Sequence, residues 1–158
     1  MALPIPYPHP VIGNPIIFRA QAALPAAGAF DPAPLAIALA GFRQVMLYIT
    51  YDRNPAAAAG AVTIRPESSP YAADAVAPQE SWFRAALYAA AVVVAGADTV
   101  SIIQREDVKY TSIGAAAETF LYGPISLAGV AERLRIACAE SGEVANPGTV
   151  EVIGVAYE

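Results

Sequence analysis

Cysteine, histidine and lysine each occur once in these 158 residues, and those scarcities exclude whole chemistries. With Cys138 alone, no intrachain disulfide can form and nothing marks an oxidising compartment. One histidine and one cysteine cannot complete a zinc site, and no acidic run has the alternation and glycine of a calcium loop. His9 sits between Pro8 and Pro10, where no rigid element holds an imidazole for a nucleophilic triad; a solvated or interface role is its default. Cys138 shares a face with Leu134 and Ile136, the position of a small buried hydrophobe rather than a nucleophile. Glu106 and Asp107 are adjacent, so on a strand they point to opposite faces and do not form a glycosidase pair. No glycine-rich phosphate loop is present. The expectation is a protein that is not an enzyme, with no metal and no cofactor.

Charge is also sparse. Asp, Glu, Lys and Arg make up 15% of the chain, against about 25% in ordinary soluble domains. The net charge of −5 rests on eight arginines and one lysine scattered along the chain. This argues against nucleic acid or an anionic membrane as partner, since both reward clustered basic residues. The hydrophobic fraction is 56%, but 36 residues are alanine and add little core volume. Few charges remain to solvate the surface, so much of it is expected to meet other protein. Arginine over lysine, many prolines and few Asn, Gln, Cys and Met fit either a GC-rich genome or a thermostable protein. The longest apolar run, Ala85–Ala97, has 13 residues, short of the ~20 that span a bilayer. The start, MALPIPYPHP, lacks the basic residues and unbroken apolar stretch of a signal peptide, so a soluble chain made in the cytoplasm is expected.

What the chain does have is proline at one end. Residues 1–34 carry eight of the fourteen prolines and only two charged side chains, Arg19 and Asp31. Alternating prolines from Pro4 to Pro10 exclude helix and forbid a central strand, leaving an extended polyproline-like conformation. Ile5, Tyr7, Val11, Ile12, Ile16, Ile17 and Phe18 interrupt the prolines, unlike a flexible linker. An extended N-terminal arm over residues 1–34 is therefore expected, with those seven side chains as candidate partner contacts. It either folds back to complete its own core or reaches a neighbouring subunit.

From residue 35 onward the signals are those of an all-β domain, 35–158. Leu35–Leu39 reads as a short strand. Phe42–Tyr51 is a clear one, with Val45, Leu47, Ile49 and Tyr51 on one face and Gln44, Met46, Tyr48 and Thr50 on the other. Residues 52–60 read as a loop, Ala61–Arg65 as a short strand stopped by Pro66, and residues 67–80 as a long connection. Ser81–Tyr88, Val100–Glu106, Val108–Ile113 and Glu118–Tyr122 are further strand candidates, with breaks at Gly114 and Gly123-Pro124. Ala89–Val94 has no decisive pattern. Eight to ten strands with no convincing long helix point to a single sandwich or jelly-roll-like β-barrel. Trp82, Tyr48 and Tyr88 face outward on their strands, where aromatics either bind sugars or contact subunits.

The last stretch, Val130–Glu158, reads as two strands joined by a turn-rich loop, a hairpin closing the domain. Its first run sets Leu134, Ile136 and Cys138 against Arg133, Arg135 and Ala137. The final strand is apolar on both sides: Val150 and Val152 on one, Ile153, Val155 and Tyr157 on the other. Such a strand is either central between layers or covered by another subunit, so Ile153, Val155 and Tyr157 form a candidate subunit interface.

An Arg-flanked strand (Arg133, Arg135), a glycine turn (Ser141-Gly142) and a Pro147-Gly148-Thr149 start to the last strand resemble the closing strands of small β-sandwich structural proteins of tailed bacteriophages. An extended arm before a compact β domain looks like the capsid decoration (cement) proteins of long-tailed phages. That resemblance implies a homotrimer at capsid threefold positions, clamping neighbouring copies of the major capsid protein from outside the shell. It implies residence on the virion surface, without catalysis or cofactor. The residues leave two other roles open: a carbohydrate-binding module on a tail or cell surface, and a tail-tube or head-completion subunit.

Overall fold

The computed structural model describes residues 14–39, 41–70, 82–84, 99–102, 107–112, 116–127 and 133–158. Ten strands lie within them: β1 (Ile16–Ala23), β2 (Ile37–Ala38), β3 (Gln44–Asp52), β4 (Gly60–Ser69), β5 (Phe83–Arg84), β6 (Thr99–Ile102), β7 (Val108–Ser112), β8 (Glu118–Ser126), β9 (Arg133–Glu140) and β10 (Thr149–Tyr157). They form two antiparallel sheets, ordered β1-β10-β3-β8 and β2-β9-β4-β7-β6, with β5 added to β4.

The pairings β1 with β10, β2 with β9, β3 with β8 and β4 with β7 are nested, as if one long antiparallel ribbon had been wound up. The turns of that ribbon are stitched by β10 with β3 and β9 with β4. This is the jelly-roll arrangement of a β sandwich. The expected all-β fold is what the chain adopts.

Strand alternation builds the core. In β3, Val45, Leu47, Ile49 and Tyr51 are buried while Gln44 and Tyr48 are exposed, as the two-residue period requires. Val150, Val152 and Ala156 of β10 face them from the same sheet, and Leu134, Ile136 and Cys138 of β9 close the core from the other. Burial pushes the Cys138 thiol far above its ordinary range, with the Asp31 charge adding to the effect. That is the inert, buried cysteine its alternation indicates.

Three local expectations are corrected. First, β4 does not stop at Pro66 but runs on to Ser69. The Ala61 carbonyl accepts from Ser141 N–H at 2.7 Å on the β9 side. By alternation, the backbone of even-numbered residues then points to the opposite edge. Pro66 therefore aims its missing N–H away from β9, at the edge where, among the described residues, β7 pairs up to Ile64 and β5 pairs from Glu67 on. No β4–β9 ladder bond is lost. Second, β8 runs through Gly123-Pro124, joined by a cis peptide, with a register irregularity opposite Val45 and Leu47. Third, β9 and β10 are not a hairpin, because they lie in different sheets. The eight residues 141–148 between them form a crossover, and that length exceeds the two to five residues of ordinary hairpin loops.

A buried acid holds the crossover in place. Glu140 is 2% exposed. Its Oε2 accepts from the Tyr51 hydroxyl (2.9 Å) and Gly148 N–H (3.0 Å), and its Oε1 from Ala61 N–H (3.2 Å) and Gly142 N–H (2.9 Å). Tyr51 belongs to one sheet and Ala61 to the other, so a single carboxylate ties both sheets to the loop. Burial, and then the Glu140 charge, drive the Tyr51 hydroxyl well above its usual pKa. A second tie stands beside it: Tyr110, stacked on Phe120 at 4.1 Å, donates to Glu118 at 2.6 Å.

Candidate functional site

The N-terminal stretch enters the fold earlier than residue 35. Ile16–Ala23 is β1, an edge strand of the four-stranded sheet paired with β10. Phe18, expected as a partner contact, is instead 1% exposed inside the chain's own core. Gly154 explains how it gets there. A Cβ at Gly154 would collide with the Phe18 ring and crowd Val45, so the bare backbone of β10 is the floor the ring lies on. Burying one such ring stabilises by about 1.5–3 kcal/mol. Ile16 packs partly against the core. Ile17, one residue on, turns outward and is 56% exposed. The other expected arm contacts, Ile5, Tyr7, Val11 and Ile12, lie outside the described residues, as do His9 and Tyr88.

The two lone charges of residues 1–34 pair with each other. Arg19 Nε and Nη2 donate to the Asp31 carboxylate at 3.0 and 3.2 Å, and Nη1 donates to the Val150 carbonyl at 2.6 Å. Further guanidinium bonds reach the carbonyls of Ala22 and Ala23, in a β1 that is bulged on both sides of Arg19. Asp31 Oδ2 accepts from Cys138 N–H, and Asp31 N–H donates to the Cys138 carbonyl, both at 3.0 Å. One ion pair thus fastens residues 19–31 to β9 and β10. The signal was present in the sequence: two isolated charges of opposite sign in an apolar segment have each other as the cheapest partner.

Between β1 and residues 32–35 lies an open groove of about 460 Å³, lined by Ile17, Phe18, Ala22, Pro34, Leu35 and Ile136 among others. Leu35 is 57% exposed there. Ile17 also begins a second feature. Strand register places Ile17, Ile153, Tyr48 and Leu121 in one row across all four strands of the sheet, on its outer face. Val155 and Met46 form part of the next row. Ile153, Val155 and Tyr157 are half-exposed, and Tyr48 is 40% exposed. The outer face of the four-stranded sheet therefore carries an apolar band continuous with the groove, bounded by the polar rows Glu151–Thr50–Thr119 and Tyr157–Gln44–Ser126. Tyr48, Met46 and Leu121 belong to it although alternation alone did not connect them to Ile153; only register does.

The six-stranded sheet is different outside. Arg65 pairs with Asp107 (2.8 Å) and lies over the Phe30 ring, while Arg135 pairs with Glu67 (2.6 Å). Trp82 is not a free aromatic platform, since the guanidinium groups of Arg133 and Arg135 stand 4.9 and 4.3 Å from its ring centre. Cations over its face occupy the position a sugar ring would take. Among the described residues no group of three or more His, Cys, Asp or Glu is placed to hold a metal ion, and no helix is long and apolar enough to cross a membrane.

No protein-family model and no curated protein matches this chain. Among solved structures it is similar to the crystal structure of SPBc2 prophage-derived protein YomS, at 10% identity and a TM-score of 0.44, over 98% of this chain and 99% of that one. A likeness at that level carries no functional information.

Proposed function

We propose that this chain is a non-enzymatic virion structural protein, a trimeric decoration protein that seats on the outside of an icosahedral capsid and clamps neighbouring major capsid proteins. The observation that carries the reading is the inequality of the two sheet faces. One is crossed by ion pairs and cation–aromatic contacts; the other presents the row Ile17, Ile153, Tyr48 and Leu121 with Met46 and Val155 beside it. Apolar surface of that extent on a jelly roll is a surface for other protein.

Its size bears on how the clamp works. Four strands about 4.8 Å apart, with two apolar rows about 6.6 Å each along them, cover on the order of 250 Å². A standard interface takes about 800 Å² from each partner. The face alone falls short, and the proline-rich residues before β1 are the natural supplement. Several weak attachments acting together make loss from a shell slow.

The test is electron microscopy of the purified full chain mixed with expanded, undecorated capsids, with its mass in solution measured in parallel. Density at threefold positions and a trimeric mass are the expected result. Tyr48→Glu combined with Ile153→Glu should abolish attachment while far-UV circular dichroism stays unchanged. Undiminished decoration by that variant would remove the sheet face from the clamp.

A further inference from the structure

The groove beside β1 and the proline-alternating segment at the start of the chain fit each other. The groove's floor is Phe18 and Ile136, both almost fully buried, and its rims are the exposed Ile17 and Leu35. At its side the Arg19–Asp31 pair keeps 12% and 15% of its side-chain surface open, and the Asp31 carboxylate there can accept from a hydroxyl or backbone N–H. Among the described residues β1 is the outermost strand of its sheet. A volume of about 460 Å³ lies within the ~300–1,000 Å³ of pockets that enclose ligands.

The segment Leu3-Pro4-Ile5-Pro6-Tyr7-Pro8-His9-Pro10-Val11 has an unusual property. Were it to dock as a β-strand rather than keep a threefold polyproline twist, the N–H groups of its alternate residues would point to opposite sides. With proline at every even position, all the N–H groups between Leu3 and Val11 fall on one side. Such a chain can hydrogen-bond along one edge only, and its apolar side chains at odd positions share one face. It is suited to lie against an apolar groove and to end a sheet rather than extend it.

We propose that the groove between β1 and residues 32–35 receives residues 3–11 of a second copy of this chain. This rests on the reading that the protein works as a homo-oligomer. The residues between Val11 and β1 make the segment's own groove the wrong destination. Gly13-Asn14 is a hairpin-turn pair, but the next residue is Pro15, which lacks the N–H that would close the turn back to Ile12. β1 then starts at once, at Ile16. Without that closing bond a reversal before β1 is disfavoured, and thirteen residues at ~3.3 Å each span about 40 Å when extended, enough to arrive at a neighbour.

The test is disulfide trapping in the full chain. Cys138 is fully buried and does not compete. Tyr7→Cys with Leu35→Cys should form disulfides between copies under mild oxidation at least about tenfold faster than Tyr7→Cys with the exposed Ala58→Cys, because docking raises the effective concentration. The single variant Leu35→Glu, at an already exposed position, should lower the solution mass with far-UV circular dichroism unchanged. Disulfides formed only within one chain would overturn the proposal in favour of the segment's own groove. A rate equal to the control would overturn it outright. Trapping between copies without any binding to capsids would keep it and sink the decoration reading instead. Trapping between copies that appears only on shells would keep both.

Discussion

Glu140→Gln is the substitution whose cost the geometry specifies best. The carboxylate accepts four hydrogen bonds, three from backbone N–H groups that cannot move without moving a strand or the crossover. An amide keeps one acceptor oxygen and puts an NH₂ where two donors point. Turned toward Ala61 and Gly142, that NH₂ would strand two N–H groups. Turned toward Tyr51 and Gly148 it strands only Gly148, since the Tyr51 hydroxyl can rotate and accept. The second arrangement should win. One orphaned buried N–H costs about 1–3 kcal/mol, and loss of charge assistance on the remaining bonds adds roughly 0.5–1 kcal/mol apiece. The sum is about 2–5 kcal/mol, against total stabilities of ~5–15 kcal/mol for natural domains.

Tyr51→Phe should cost only about 1–2 kcal/mol, because three backbone donors still hold the acid. Tyr122→Phe is the control. Among the described residues its buried hydroxyl has no hydrogen-bond partner, so removal should be neutral or stabilising by up to about 1 kcal/mol. The assay is denaturant unfolding at neutral pH followed by the fluorescence of Trp82, the chain's one tryptophan. A Glu140→Gln protein within about 0.5 kcal/mol of wild type would show that the carboxylate does not hold the crossover.

Two further outcomes are expected from the same structure. Phe18→Ala should cost about 3–5 kcal/mol and Gly154→Ala about 1–3 kcal/mol, yet the double variant should cost less than their sum, because the new methyl group occupies space the ring has left; strict additivity in denaturant unfolding would contradict the packing of ring on glycine. Glu143 is held below the usual carboxylate range by the Ala58 N–H and then by the Asn146 side chain. A depressed folded pKa means that the tie between residues 53–60 and the crossover is fully present above the ordinary glutamate pKa and is lost as pH falls through the lower folded value. The Ala58 amide resonance should titrate in that acidic window, and Glu143→Gln should abolish the titration.

Removing residues 1–34 as a unit would not isolate an arm. Phe18 is core and Arg19 with Asp31 pins β1 to β9 and β10, so that deletion should unfold the domain. Any dissection of attachment has to act before Ile16, where β1 begins.

The amino-acid pattern alone determined that the protein is all-β, which faces of β3 and β9 carry the core residues, and that Cys138 is a packing residue. These are consequences of a two-residue side-chain period, which is local and can be read from neighbours in the chain. Turn residues also showed where the chain changes direction, but not whether it returns to the same sheet. Ser141-Gly142 and Asn146-Pro147-Gly148 serve a hairpin and a crossover equally well, and Glu140 decided between them by bonding to both sheets. Pro66 and Gly123-Pro124 looked like stops because strand membership depends on which edge is paired, a property of the neighbours and not of the residue. The candidate surface was legible in part. Ile17 stood out as an arm contact and Ile153, Val155 and Tyr157 as a candidate subunit interface, but their union with Tyr48, Met46 and Leu121 exists only through the register of four strands drawn from both ends of the chain.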